Sequence, residues 1–379
     1  MKSSYLLAGI TSGMLLKFTR KNKFSFRPKY ISRFLFLFQN GIWASFFSFK
    51  DRFHRGKQIK AHPVPDDPII IIGHWRTGST FLHQLMNLDD QLAAPTLFQA
   101  SQPLGFIYGY RYYKPIMKMV LGKHRPFDQM KTGMDEPQED EFALYRMNGY
   151  SPLNRLVFPI SKEYFLNELP DFVPPDSMRE QWIEDMKYFY QKVSWKTGRR
   201  LLLKNPFHSM RVELLAEVFP KAKFIHIYRN PLSVVPSTVR MWSVVGSQNC
   251  LNRNWRNPSF AEVSVVMSKM LEQVRQSLEK LPADRFYELR YEHLEKNPIS
   301  ELKRMYDYLG LKFTKEFDTR AVNFLDEIKN YEKGSYTISP EEKDIICSHM
   351  KSQMEYYGYH TGNCAPENLT IEVAESAAR

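Results

Sequence analysis

The sequence predicts an α/β fold built on a parallel β-sheet flanked by helices, and three observations lead there. First, the wholly apolar run Ile69–Ile72 sits between Pro68 and Gly73, the pattern of a short strand buried on both faces. Second, Arg200–Lys204 and Lys223–Arg229 are further apolar-centred runs separated by a helix-like stretch, Met210–Phe219; strand, helix, strand at that interval is a βαβ unit. Third, all three runs end in polar or cationic residues: Arg76 beyond the first, Lys204 and His208 after the second, Arg229 at the third. Ligands of open α/β sheets bind at the carboxyl ends of the strands.

The chain begins with a region of different character. Residues 1–60 hold thirteen Lys or Arg against one acid, Asp51, and so carry the whole net charge of +12 in a chain of 379 residues. Two apolar stretches, Tyr5–Leu16 and the aromatic-rich Ile31–Phe49, alternate with the basic clusters, among them Lys17-x-x-Arg20-Lys21-x-Lys23. Neither is an uninterrupted apolar span of roughly 20 residues, and no A-x-A cleavage site follows the first. The expectation is a set of basic, aromatic helices on an anionic membrane surface. Helices packed under the main domain, or a true anchor or signal, are the alternatives. A nucleic-acid arm is not expected, because the aromatics cluster with each other and do not alternate with the charges. The expected divisions are 1–62 for this region, 63–363 for the α/β domain after the linker Pro63–Pro68, and 364–379 for a flexible tail.

Composition narrows the class. Hydrophobic residues make up 43% of the chain and aromatic residues 14%, which is globular with bulky binding surfaces. Cys250, Cys347 and Cys364 are too few and too scattered for a disulfide framework or a zinc site. They read as thiols of a reducing, cytoplasmic compartment, and no metal is expected.

The central motif follows the first strand. Gly73–Thr80 reads G-x-x-x-x-G-S-T and leads into an amphipathic segment, Thr80–Leu88. Strand, glycine-bounded loop and helix start offer backbone N–H groups and a positive dipole end to a phosphate. The spacing is that of the Walker A loop, yet its lysine is replaced by Ser79 and the cation has moved to Arg76. Arg229 closes the third strand, where a nucleoside triphosphatase places an acid for Mg²⁺. Two separated cationic sites without a metal suit a nucleotide phosphorylated at both its 5′ and 3′ positions.

The remaining elements follow in order. The tyrosine-rich stretch Ser101–Tyr113 reads either as a strand edge or as the wall of a substrate pocket. Asp135–Glu141 is a dense acidic run before Phe142-Ala-Leu-Tyr-Arg: it reads as an acidic first helical turn, or as a carboxylate, Glu139, facing the site. Asp176–Trp195 is an amphipathic helix whose Trp182, Met186, Phe189 and Trp195 form a core stripe. Residues 259–280, Pro298–Leu309 and Pro340–Tyr357 read as helices, and Arg285–Tyr291 as a further strand.

At this point the chain resembles the PAPS-dependent sulfotransferases. Arg76-Thr-Gly-Ser-Thr-Phe81 is similar to their 5′-phosphosulfate loop, and Arg229-Asn-Pro…Ser237, with arginine and serine eight apart, to their 3′-phosphate motif. Tyr291-Glu-His-Leu-Glu-Lys-Asn-Pro298 resembles a Y-E-D-L-K-x-x-P segment, with His293 in place of Asp, and Lys204-Asn-Pro-Phe-His208 the lysine-and-histidine motif of cytosolic members. The resemblance implies a three-layer, P-loop-like architecture with PAPS as sulfuryl donor. It implies that Arg76, Thr77, Gly78, Ser79 and Thr80 hold the 5′ end. Phe81 and Tyr291 would lie by the adenine, and Arg229 and Ser237 would hold the 3′-phosphate.

Sulfuryl transfer to a hydroxyl needs a base for the acceptor proton and cations for the leaving phosphate. His208 is the expected base, with Arg76 and Lys204 as the cations and Glu139 as the rival base. The motif reads K-N-P-F-H where cytosolic members have K-T-H. Where other branches carry a glutamate nearer the loop, this chain has Leu97-Phe-Gln99. Lys333-Gly334-Ser335 is a partial match to an R-K-G element. The basic, aromatic N-terminal region points to a lipid or sterol alcohol or glycolipid as acceptor, on the inner face of a membrane. A soluble carbohydrate or phenol is the alternative, and a P-loop kinase or a non-catalytic nucleotide-binding module are the rival classes.

Overall fold

Four consecutive isoleucines have no polar side to turn to water, so the run needs apolar cover on both faces. Strand β1 (Ile69–Ile72) accordingly lies at the centre of a five-stranded sheet. The structure, a computed structural model, describes residues 5–22, 31–120, 133–159, 163–251, 255–329, 336–359 and 370–371. With β2 (Leu92–Ala93), β3 (Arg200–Lys204), β4 (Lys223–Tyr228) and β5 (Phe286–Arg290), the order is β2-β3-β1-β4-β5 and every pairing is parallel. Ile70 stands opposite Leu203 on one side and Phe224 on the other.

Alternation along the strands divides the core. Ile70, Ile72, Leu201, Leu203 and Phe224 point into one apolar cluster, and Ile69, Ile71, Leu202, Ile225 and Leu289 into another. Helices cover both, giving the three layers that the resemblance implies. In chain order they are α1 (Ser12–Lys21), α2 (Ile31–Ala61), α3 (Ser79–Met86), α4 (Leu97–Ser101), α5 (Phe106–Tyr112), α6 (Lys114–Val120), α7 (Glu141–Asn148), α8 (Leu153–Val157) and α9 (Asp176–Thr197). After β3 come α10 (Val212–Val218), α11 (Pro231–Asn249), α12 (Phe260–Leu278), α13 (Tyr291–Lys296), α14 (Pro298–Tyr308), α15 (Lys315–Glu327) and α16 (Pro340–Tyr356).

The N-terminal helices are built into the body. Leu6, Leu7, Ile10, Leu15 and Phe18 are buried in a third cluster with Trp75, Tyr145 and Trp242. On α2 the buried stripe is Leu37, Gly41, Ala44, Phe47 and Asp51. The region's single acid is the key to its docking. Asp51 accepts the backbone N–H groups of Ile107 and Tyr108 at 3.0 and 2.9 Å, supplying the N-terminal cap of α5 from another helix. It also pairs with Lys192 of α9 at 2.7 Å, both side chains fully buried. Lys192 reaches the carbonyls of Pro103 and Leu104 as well and lies over the Phe106 ring.

Two expectations change here. The tyrosine-rich stretch is helical, not a strand edge: Phe106 and Gly109 turn inward, and Asp51 satisfies the first N–H groups of the helix. Cys250 is buried, and Cys347 is disulfide-bonded, so the cysteines are not all reduced thiols. Within the expected tail, Thr370–Ile371 pairs antiparallel with Tyr336–Thr337; the rest of 364–379 lies outside the described residues.

Burial holds the Lys192 ammonium down to about 8, against an ordinary 10.5, with Asp51 opposing the fall. Replacing Lys192 by Met strands a buried carboxylate and is expected to cost about 3–5 kcal/mol in urea unfolding at pH 7. Between about 8 and 10.5 the unfolded chain binds a proton that folded Lys192 has shed. Wild type is therefore expected to gain stability relative to Lys192→Met as pH rises through that window.

Candidate active site

The loop after β1 is shaped by backbone conformations that few side chains tolerate. Gly73 has φ 146° and approaches the Ile227 carbonyl so closely that a Cβ would stand 2.3 Å from it. Ser209 clamps the same residue, accepting from its N–H at 2.9 Å and donating to its carbonyl at 3.2 Å. Thr77, buried, donates to the His74 carbonyl at 2.8 Å. Arg76 has φ 69°, a left-handed conformation that costs a non-glycine residue free energy.

The predicted anion ligands come together around this loop. The Arg76 guanidinium donates through Nε to Ser237 on α11 at 2.8 Å, so the loop cation and the hydroxyl expected at the 3′-phosphate share one site. Gly78, with φ 90°, precedes α3 and has Tyr291 where a Cβ would be, 2.1 Å from Cδ2. Arg229 closes β4 and lies over the Tyr291 ring at 4.1 Å. Asn230 takes the Glu292 carboxylate on its N–H at 3.0 Å and caps α11 through the Leu232 N–H. Burial pushes the Tyr291 phenol up. Phe81 is buried in the sheet-face cluster that includes Tyr291.

At the end of β3 the acidic run meets a matching set of partners. Lys204 pairs with Glu139 at 2.5 Å and donates to Thr80 Oγ1 at 3.3 Å, tying both to the first turn of α3. Behind them, Asn205 donates to Asp140 at 2.9 Å and to Glu141 at 3.0 Å. His208 Nε2 lies 2.9 Å from Asp140 and 3.3 Å from the Tyr190 hydroxyl, which itself donates to Asp140. Arg211 forks onto Glu141 at 2.6 and 3.2 Å, donates to the Phe172 carbonyl and lies over the Trp182 ring. The ion-paired side chains of Asp140, His208, Glu141 and Arg211 have no exposure at all. Burial works to raise the Asp140 carboxyl, but His208, Tyr190 and Asn205 outweigh it and hold it below 3.8.

The expected residues thus divide in two. Arg76, Thr77, Gly78, Ser79, Thr80, Arg229, Ser237 and Tyr291 line or support the loop, and Lys204 reaches Thr80 while holding Glu139. His208 lies behind them: Asp140 and Tyr190 hold its Nε2, and its Nδ1 is 3.4 Å from Arg211. Gln99 serves locally, its carbonyl accepting from Thr96 N–H at 2.9 Å in a capping box at α4. Lys333-Gly334-Ser335 lies outside the described residues. Asp140, Glu141, Asn205, Arg211 and Tyr190 were not singled out from sequence, although the acidic run opposite K-N-P-F-H-S-M-R carried the signal.

The family model described as Sulfotransferase family matches residues 68–315, from the edge of β1 into α15. The chain belongs to the sulfotransferase family. The omega-hydroxy-beta-dihydromenaquinone-9 sulfotransferase Stf3 of Mycobacterium bovis is 32% identical to this enzyme over 315 residues, 83% of this chain and 81% of that one. The Mycobacterium tuberculosis Stf3 shows the same identity and coverage. The crystal structure of sulfotransferase STF9 from Mycobacterium avium shares the fold, with a TM-score of 0.68, 18% identity, and 89% and 88% of the two chains covered.

Because folded Asp140 titrates below its ordinary 3.8, its contribution is whole above that pH and is lost as pH falls through the folded value. Asp140→Asn is expected to cost this sulfotransferase about 1–3 kcal/mol at pH 7, because an amide cannot replace the carboxylate toward His208, Tyr190 and Asn205 at once. Urea unfolding should show the gap to wild type narrowing below pH 3.8.

Proposed function

We propose that this sulfotransferase moves a sulfuryl group from PAPS to the hydroxyl of a lipid alcohol at a membrane surface, with Glu139 as the base. The observation that carries the assignment is the Lys204–Glu139 pair, fixed to Thr80 at the start of α3. A carboxylate there adjoins the loop that resembles the family's 5′-phosphosulfate site, whereas His208 is enclosed by protein groups.

The binding groups fit the donor. Arg76 and Ser237 hydrogen-bond to each other, and Arg229 stacks on Tyr291 beside Gly78. Two cations, a hydroxyl and a tyrosine at one loop suit an adenine nucleotide with 5′ and 3′ anionic groups. Backbone N–H groups from Thr77 to Thr80 face the 5′ end at the positive pole of α3. Ser79 in place of the loop lysine and Arg229 in place of a Mg²⁺-binding acid weigh against a P-loop kinase.

The chemistry is an in-line displacement at sulfur. Glu139 takes the acceptor O–H proton as that oxygen bonds to sulfur, and the bond from sulfur to the bridging phosphate oxygen breaks. Arg76 and Lys204 meet the charge that develops on the departing phosphate. Asp140, Glu141 and His208 act behind Glu139 as positioning residues. The acceptor class draws on the relatives named for a hydroxylated dihydromenaquinone.

Thermal unfolding tests the donor site: adenosine 3′,5′-bisphosphate is expected to raise the Tm, and Arg229→Ala to abolish the shift. A shift with ATP and Mg²⁺ alone would overturn the reading. With labelled PAPS and an ω-hydroxylated isoprenoid quinone, Glu139→Gln is expected to lower kcat about 10²–10⁴-fold while the bisphosphate shift remains. Transfer to phenols or soluble sugars with none to lipid alcohols would move the acceptor assignment to those classes.

A further inference from the structure

Helix α2 is apolar on two opposite faces, and the catalytic body accounts for only one of them. Leu37, Gly41, Ala44, Phe47 and Asp51 pack inward. The other side carries Leu35, Ile42, Phe46, Phe49 and Phe53 at helical spacing, from 47% to 73% exposed, flanked by Trp43. A helix with apolar residues on both sides is suited to two apolar environments. Among the described residues no second layer covers this stripe. At 31 residues α2 runs for about 46 Å, yet no helix among the described residues is long and apolar enough to cross a membrane.

The charge around the stripe selects the occupant. Lys50, Arg52, Arg55, Lys57 and Lys60 lie on the same helix and are exposed or half-exposed, while the only acid, Asp51, is buried against Lys192. Bulky aromatics beside bases, with no accessible acid on the helix, complement an anionic bilayer interface. A second copy of this chain would bring the same bases face to face, at a repulsive cost. We propose that the Leu35–Phe53 stripe of α2 docks flat on an anionic phospholipid surface, its rings among the headgroups and acyl boundary and its bases on the phosphates. The buried Asp51–Lys192 pair would then fix the catalytic body to a helix lying in the plane of the membrane. The proposal deepens the lipid-acceptor reading by naming the surface that meets the lipid, and it rests on helix geometry independent of the chemistry.

Sedimentation of the full chain with vesicles tests it. Wild type is expected to bind phosphatidylcholine vesicles containing phosphatidylglycerol at least tenfold more tightly than pure phosphatidylcholine, with the difference shrinking in high salt. The triple variant Phe46→Ser, Phe49→Ser, Phe53→Ser is expected to lose at least tenfold in binding to the anionic vesicles, and Lys57→Glu, Lys60→Glu to lose the preference for phosphatidylglycerol. The bisphosphate-induced Tm shift should be unchanged in both variants, which keeps a folding defect, or failure of the donor-site reading, separate from failure of docking. Equal vesicle binding by wild type and the triple variant would overturn the proposal. So would a wild-type dimer in solution that the triple variant converts to monomer, since the stripe would then belong to a second copy.

Discussion

Charges withdrawn from water must be paired, and the burial of Asp140 and Glu141 is the constraint on which the rest of this site depends. Two consecutive carboxylates without exposure would be prohibitively costly alone. Asn205, His208 and Arg211, from the segment that follows β3, supply the partners, and Tyr190 of α9 supplies a hydroxyl. Docking one segment on the other leaves little freedom for the residue just before the acids or the one just before Asn205. Those residues are Glu139 and Lys204, and they meet in front of α3. That pair is thus the visible edge of a buried lattice of charge.

The sheet supplies the second fixed frame. β1 and β4 are paired in parallel, so the loop after Ile72 and the turn after Tyr228 emerge on the same side. Gly73 against the Ile227 carbonyl draws them closer than any residue with a Cβ allows. Arg76 then reaches Ser237 although 161 positions separate them. Backbone strain at Arg76 aims its guanidinium across the sheet, an expense of conformational energy typical of sites that bind a specific ligand.

Local signals were legible in the sequence and long-range ones were not. The isoleucine run, the βαβ spacing and the glycine-bounded loop depend on neighbours a few residues apart, and β1, β3, β4 and α3 lie where those patterns put them. The stretch Phe106–Tyr112 reads ambiguously because its helical cap comes from Asp51, a residue 56 positions earlier. His208 has the right residue type for a base, yet whether it faces a cleft or an interior depends on Asp140, which no spacing rule brings to it. Glu139 stood out as one acid in a dense run, and only the pairing of its neighbours distinguishes its side of the run from theirs. For the N-terminal helices, composition gave the charge, while the split of α2 into an inward and an outward apolar face required knowing which residues the body covers.

The ion pair between Asp51 and Lys192 has a consequence for how this protein can be divided. The charge imbalance at residue 60 invites a cut there, with the basic arm discarded to obtain a better-behaved catalytic fragment. Such a fragment would keep Lys192 in the interior with carbonyls alone, leave α5 without its cap, and strip Leu15, Phe18 and Leu37 from around Trp75 and Tyr145. The arm behaves as an intramolecular subunit that happens to share a chain with its partner. Its outward residues touch none of this interior, whereas the inward ones can change only in concert with α5 and α9.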